Sequence, residues 1–325
     1  MKNLNIIFSI PINEKFEVVV DQILNFKTLN NNCGIIIHIS QGFNYEQSEL
    51  NLDCFLEIVN KIDNVYINDK KLRTGKYDII QAHLSNFEYV KNIIDFDYFC
   101  MCASNELFFK EGLYDYIKKY DAGVGYNNIK FNPKWIPGKY AKNDDSLKKI
   151  MKILDVKNNN IIGSQIEGSF YKKKIFEKIC LLINENYDFN NMKVAYAREE
   201  VYFSTIVWNL SLLEKKLKIK ENGMVTYCPW NRKYTMNVKI NEIDNLLLNE
   251  NNFFSVKRVP RIQNDCVRQY LRQMYNYAFM ENRLLSTNYV YEKKIFLKMK
   301  EIKKIIKCNC EVFIKVLKKL KGGTK

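Results

Sequence analysis

The sequence predicts an α/β protein with a mixed, mostly parallel sheet flanked by helices. Short apolar runs that read as buried strands alternate with longer amphipathic stretches through the first half of the chain. Strands buried on both faces are those of a largely parallel sheet covered by helices. At 325 residues, 47% hydrophobic and 14% aromatic, the chain can bury a large core as one domain or two joined ones, and most of it is not disordered.

Residues 4–10 are the first strand, and residues 14–29 follow with Phe16, Val19, Val20, Ile23 and Leu24 at helical spacing. Residues 35–39 are a second strand, which completes a βαβ opening. Residues 52–62 read as a helix, 64–67 as a strand, and 77–94 as a long helix with Ile80, Leu84, Phe87 and Val90 on one face. Residues 98–103 are a further buried strand. Residues 123–145, polar and carrying Pro133, Trp135 and Pro137, read as a long loop. A strand over 161–170, a helix over 172–184, a helix opened by Glu199 and Glu200, and a strand and turn over 216–228 follow, with no internal repeat. The last segment places Ile295, Met299, Ile302, Ile305, Ile306, Phe313, Val316, Leu317 and Leu320 at helical spacing with Lys elsewhere, a basic amphipathic helix. The expected organisation is a catalytic domain over 1–285 and a basic helical tail over 286–325.

The formal net charge is +15, and residues 291–325 hold twelve Lys against Glu292, Glu301 and Glu311, so that +9 of the excess belongs to the tail. Such a tail fits peripheral contact with an anionic membrane face, docking on the domain, or weak, salt-sensitive adhesion to nucleic acid. No familiar nucleic-acid-binding signature accompanies it. Nine cysteines, with Cys100/Cys102 and Cys308/Cys310 spaced CxC and only His38 and His83 beside them, fit a reduced, cytoplasmic chain better than a zinc site or a disulfide framework. Both histidines read as structural. The apolar start ends at Glu14 and Lys15, too short for a secretory segment, and no run approaches the ~20 residues that span a bilayer.

Three groups of residues carry possible chemistry. Glu199 and Glu200 open an apolar helix, where a carboxylate can act as a base or simply meet the helix dipole. Arg232 and Lys257, each beside aromatic residues, are cations of the kind that stabilise a departing diphosphate, or solvated heads on buried stems. Asp95 and Asp97 have the Asp-any-Asp spacing that holds a divalent cation on a nucleotide sugar, but they precede the strand over 98–103. The loop after that strand, Ser104-Asn105-Glu106, offers one carboxylate. Trp135, Tyr227 and Trp230 are aromatics able to stack on a sugar, and Glu167 a carboxylate able to accept its hydroxyls.

In order along the chain, Ile6-Ile7-Phe8-Ser9-Ile10, Ile36-Ile37-His38-Ile39-Ser40, Gln81-Ala82-His83-Leu84, residues 98–108, Gln165 to Phe170, Glu200-Val201-Tyr202-Phe203-Ser204-Thr205 and Phe253-Phe254-Ser255-Val256-Lys257 resemble segments of the core-2/I-branching β-1,6-N-acetylglucosaminyltransferase family. The resemblance covers roughly residues 4 to 260, and Ser40 stands where the family usually has Asp. It implies a GT-A-like fold and an inverting transferase that needs no metal or other cofactor. It also implies transfer of N-acetylglucosamine from UDP-N-acetylglucosamine to a glycan acceptor; for a cytoplasmic chain without disulfides, a bacterial surface polysaccharide is the expected product. In that scheme Glu200 is the catalytic base and Arg232 and Lys257 bind the donor diphosphate; by their side-chain chemistry, Glu167, Tyr227 and Trp230 are the candidates for the acceptor. The alternatives are a metal-dependent transferase using Asp95 and Asp97, and a basic nucleic-acid-binding protein without catalysis.

Overall fold

The computed structural model describes residues 3–72, 74, 79–128, 136–155, 160–188, 196–229 and 237–277. The chain divides into two compact units, residues 1–269 and 270–325, and of the second only residues 270–277 are described. The basic tail over 286–325 therefore lies outside the described residues, and no described helix is long and apolar enough to cross a membrane.

Twelve strands are β1 (Leu4–Ile12), β2 (Cys33–Ile39), β3 (Val65–Asn68), β4 (Phe96–Met101), β5 (Glu106–Phe108), β6 (Ala122–Val124), β7 (Asn127–Asn128), β8 (Ile162–Gly163), β9 (Ser169–Lys172), β10 (Ile219–Glu221), β11 (Thr226–Tyr227) and β12 (Ser255–Lys257). The helices are α1 (Phe16–Leu29), α2 (Leu52–Asn60), α3 (Ile79–Val90), α4 (Leu113–Ile117), α5 (Ile136–Ala141), α6 (Asp145–Leu154), α7 (Lys173–Asn186), α8 (Glu199–Leu213), α9 (Ile240–Leu248) and α10 (Cys266–Tyr275).

The main sheet has seven strands in the order β10-β6-β9-β4-β1-β2-β3. β1 runs parallel to both β2 and β4, β2 to β3, and β10 to β6, whereas β9 lies antiparallel between β4 and β6. The expected mixed, mostly parallel sheet flanked by helices is the one observed. β1, β2 and β4 are almost wholly buried, which is why their sequences are apolar without alternation. One core layer packs Phe87 of α3 edge to face on Phe99 of β4 and Phe176 of α7, which are themselves tilted against each other, with centroids 4.5–5.3 Å apart.

The strand order reverses at β1: the chain leaves β1 toward β2 and β3 on one side and returns to β4 on the other. Such switch points open a crevice at the carboxyl ends of the strands, where ligands of α/β proteins bind. Beside it stands a small sheet, β11-β12-β5, with β11 parallel to β12 and β12 antiparallel to β5.

Several expectations need correction. Residues 123–145 are not one long loop, because Ala122–Val124 joins the main sheet and α5 and the start of α6 occupy 136–145. Asp144 caps α6 by accepting from the amides of Ser146 and Leu147 at 3.0 and 3.2 Å. The strand over 161–170 is two short strands, broken where Gly168 takes φ +78°. A Cβ at Gly168 would lie 2.3 Å from the Thr226 hydroxyl oxygen and 2.4 Å from its amide nitrogen, so only glycine lets this turn reach β11. The long helix ends at Val90, and the strand expected at 98 begins at Phe96.

Candidate functional site

A cleft of ≈ 370 Å³ opens at the carboxyl ends of β1 and β4. Pro11 and Asn13 from β1 and its exit, Ala103, Ser104 and Asn105 after β4, Ile79 at the start of α3, Glu167, and the basic run Lys257, Arg258 and Arg261 line it. The sheet thus supplies polar backbone ends and small side chains, and β12 with its exit supplies positive charge.

Lys257 ends β12, opposite Glu106 of β5. Glu106 anchors this small sheet from within. Its buried carboxylate accepts from the hydroxyls of Thr226 on β11 and Ser255 on β12 at 2.6 and 2.7 Å, and from the Ala103 amide at 3.1 Å. Burial pushes its pKa up to about 7 against the pull of these three donors. One carboxyl therefore ties the loop after β4 to both strands that flank the cleft.

The Lys257 ammonium donates to the Glu167 carboxylate, a pair whose side chains are 24% and 12% exposed. Burial alone would raise the pKa of Glu167, but the charge and hydrogen bond of Lys257 override it and hold the carboxyl below its usual range. Burial likewise opposes the charge of Lys257, and Glu167 lifts the ammonium above the ordinary lysine value. Glu167 stays anionic and Lys257 cationic.

Glu200 sits in the first turn of α8. The turn is fixed from two directions: the Ser164 amide donates to the Glu200 carbonyl at 2.8 Å, and one turn on the Ser204 and Thr205 hydroxyls donate to the Ile162 carbonyl at 2.6 and 3.1 Å. Arg198, buried before the helix, packs over the Tyr187 and Tyr196 rings and pairs with Asp144 at 3.5 Å. Thr205 and Ser204 thus serve as clasps between α8 and β8, which gives the Glu200-to-Thr205 motif a physical reason. Burial pushes the Glu200 carboxyl up to about 7, with Glu167 adding to the rise and Lys257 opposing it. Its neighbour Glu199 is more buried and is pushed to about 8, with Glu200 and Glu167 adding to the rise and a bond from its own amide and Lys257 opposing it. Among the described residues the Glu200 carboxylate accepts no hydrogen bond, so it is positioned but uncommitted.

The structure pairs Glu167 with Lys257, two of the residues expected from sequence and 90 positions apart, at the cleft; Glu200 is not among the cleft's lining residues but lies within electrostatic reach of both. Trp230, Arg232 and Trp135 lie outside the described residues. Glu167 is engaged by Lys257 rather than left open to an acceptor. Tyr227 does not line the cleft: on β11 it alternates to the face opposite Thr226 and packs edge to face on Phe253 at 5.4 Å. Asp95 and Asp97 sit at the other end of β4, where Asp95 pairs with Lys173 at 3.2 Å and Asp97 accepts from the Tyr114 hydroxyl at 2.7 Å. At about 3.3 Å per residue, a strand of this length puts them roughly 20 Å from the cleft, so the Asp-any-Asp spacing here belongs to a strand entry.

Both histidines are structural, as expected. His83 is fully buried with Nδ1 at 2.9 Å from the Ser9 hydroxyl, and burial lowers its pKa to about 3. His38 Nε2 lies 3.1 Å from the Leu72 carbonyl oxygen. Cys100 and Cys102 are buried free thiols. Sequence reasoning placed Arg258 in the basic segment with Lys257 but missed Arg261 and Asn13 as cleft residues. The density of cations in Lys257-Arg258-Val259-Pro260-Arg261 was the available signal.

A scan of known protein families gives no match. Among curated proteins the chain is 24% identical over 247 residues to a chondroitin synthase of Pasteurella multocida (strain Pm70), covering 71% of this chain and 24% of that protein. It is 25% identical over 199 residues to a hyaluronan synthase of Pasteurella multocida, covering 58% of this chain and 18% of that one. The chain thus spans a quarter or less of the length of these relatives. Among solved structures, a galactosyltransferase LgtC in complex with donor and acceptor sugar analogs aligns at TM-score 0.41 with 8% identity, covering 89% of this chain and 100% of that one. An active-site mutant of LgtC aligns at the same TM-score with 9% identity, covering 83% and 94%.

Proposed function

We propose that the protein is a glycosyltransferase of GT-A-like fold that moves a sugar from a nucleoside-diphosphate donor to a glycan hydroxyl with inversion and without a metal. The observation that carries this reading is the placement of Glu200. It is a carboxylate with a pKa of about 7 and no hydrogen-bond commitment among the described residues, within electrostatic reach of a partly buried Lys257–Glu167 pair that lines the switch-point cleft. The two sequence relatives, named for the synthesis of chondroitin and of hyaluronan, support sugar transfer as the reaction class and a polysaccharide as the product class.

In the proposed reaction the acceptor oxygen attacks the anomeric carbon, its proton passes to Glu200, and the bond from that carbon to the β-phosphate oxygen breaks. Lys257 meets the charge that grows on the leaving diphosphate, a task for a cation already fixed before the reaction begins. Glu167 holds that cation in place, and Arg232 is proposed as its companion. Trp230 is kept as an acceptor-stacking residue. N-acetylglucosamine as the sugar and UDP as the nucleotide follow from the resemblance to the core-2/I-branching family; both belong to the proposal, as do a bacterial surface glycan as the acceptor and membrane contact through residues 291–325.

UDP release from a panel of UDP-sugars, with mixed glycan acceptors and excess EDTA throughout, tests the reading. Turnover with one donor identifies the sugar and the metal-free route. Silence in EDTA with recovery in Mn²⁺ overturns the metal-independent mechanism, and silence under both conditions overturns the transferase assignment.

A further inference from the structure

The segment leaving β12 places three cations in five residues along one wall of the cleft: Lys257, Arg258 and Arg261. Two are visibly committed. Lys257 is held by Glu167, and Arg258, in a left-handed backbone conformation with φ 64°, donates from Nη1 to the Pro229 carbonyl at 3.0 Å. Arg261 differs. Its side chain is 62% exposed, and its Nε lies 3.0 Å from Oε1 of Glu14, a carboxylate only 3% exposed at the exit of β1. That oxygen is buried with no hydrogen bond among the described residues, so Arg261 is its ion partner without satisfying it.

The other cation close to Glu14, Arg268, is fully buried and donates to Asp21 at 2.6 Å, so it cannot follow a ligand into the cleft. Arg261 is therefore tethered through one end of its guanidinium by a buried carboxyl, whose pKa burial pushes up to about 7 against the pull of Arg261 and Arg268, while among the described residues its terminal nitrogens make no bond. A buried carboxylate loses heavily if its single mobile cation departs, which keeps Arg261 against the cleft wall and lowers the entropy lost when it grips an anion. A planar fork of N–H donors fits two oxygens of a phosphate in a way that the point charge of Lys257 does not.

We propose that Arg261 is a phosphate-binding residue of this cleft, positioned by Glu14, and that it takes oxygens of the diphosphate of a nucleoside-diphosphate ligand. The inference rests on the nucleotide-sugar reading above and adds to it a cation and a positioning carboxylate that the family resemblance does not indicate.

Calorimetric titration of the full chain with UDP and with uridine tests it, comparing the native protein with Arg261→Met and Glu14→Gln, and with Lys61→Met as an exposed-charge control remote in sequence. Arg261→Met is expected to weaken UDP about 10- to 100-fold, the range of hydrogen bonds to charged groups, and to leave uridine unchanged. Glu14→Gln is expected to weaken UDP less, by loosening Arg261, and again to spare uridine. Unchanged UDP affinity in Arg261→Met, or equal losses for UDP and uridine, overturns the assignment of Arg261 while the nucleotide reading stands. A native protein that binds UDP no better than uridine, or neither, overturns the nucleotide reading and this inference with it. Thermal unfolding of each variant separates a loss of binding from a loss of fold; Arg261→Met leaves the Glu14 carboxyl without that partner and is expected to lower the melting temperature, so affinities are compared where each variant is folded.

Discussion

Two regions beside the cleft each hold a glutamate whose pKa burial raises to about 7, yet the two carboxyls do opposite work. In the small sheet, Glu106 is fully enclosed and accepts from two hydroxyls and an amide. At the entrance of α8, Glu200 is only part buried, and among the described residues nothing donates to its oxygens. A perturbed pKa therefore does not by itself mark a catalytic group. The number of donors already spent on the carboxylate separates a structural hub such as Glu106 from a carboxyl such as Glu200 that is free to serve as the proposed base.

Three experiments can break that contrast. The largest effect is expected on transfer: Glu200→Gln should lower turnover roughly 10²- to 10⁴-fold, the usual worth of a general base, with far-UV dichroism and melting temperature close to native. Undiminished turnover would remove Glu200 from the chemistry. The converse holds for Glu106. Glu106→Val leaves the Thr226 and Ser255 hydroxyls and the Ala103 amide without their acceptor, at about 1–3 kcal/mol for each buried orphan, so denaturant unfolding should show a loss of several kcal/mol. A variant as stable as native would deny Glu106 its anchoring role.

The third experiment is milder and reads both regions along the pH axis. Transfer needs Glu200 ionised, so kcat/KM should rise with pH and level off above about 7. Stability should move the other way. Glu106 and Glu199 carry folded-state pKa values of about 7 and about 8, above the ordinary glutamate value near 4.5, so the folded protein binds more protons between these limits. Their contribution is complete below the unfolded pKa and is lost as pH climbs toward 7 and 8. Glu106→Gln should flatten part of that decline, and an unchanged slope would show that Glu106 does not titrate in this window.

Much of the frame was legible in the sequence. Buried parallel strands such as 4–12 and 33–39 announce themselves by unbroken apolar runs, and α1 and α2 by their spacing. What escaped was short and held by distant partners. β5 and β12 have three residues each, too few to show a period, and exist because they pair with one another nearly 150 positions apart. Glu106 read as a spare carboxylate because its donors, Thr226 and Ser255, lie far along the chain. Tyr227 was expected at the site because an aromatic beside basic residues resembles a sugar platform, and only the strand's alternation shows that it turns away. Glu200 and Lys257 came through family resemblance in segment order, a signal that spacing alone did not contain.

That long-range closure has a consequence during synthesis. The cleft takes one wall from residues 11–13 and 103–105 and the other from 257–261, so its first wall leaves the ribosome well before its second. At 5–20 residues per second the interval is roughly 8 to 30 seconds, during which β4 and its exit loop await the strand that carries Lys257. Completion of the cleft waits on residues 257–261, and a chaperone that shields the unfinished rim would be guarding the future binding site itself.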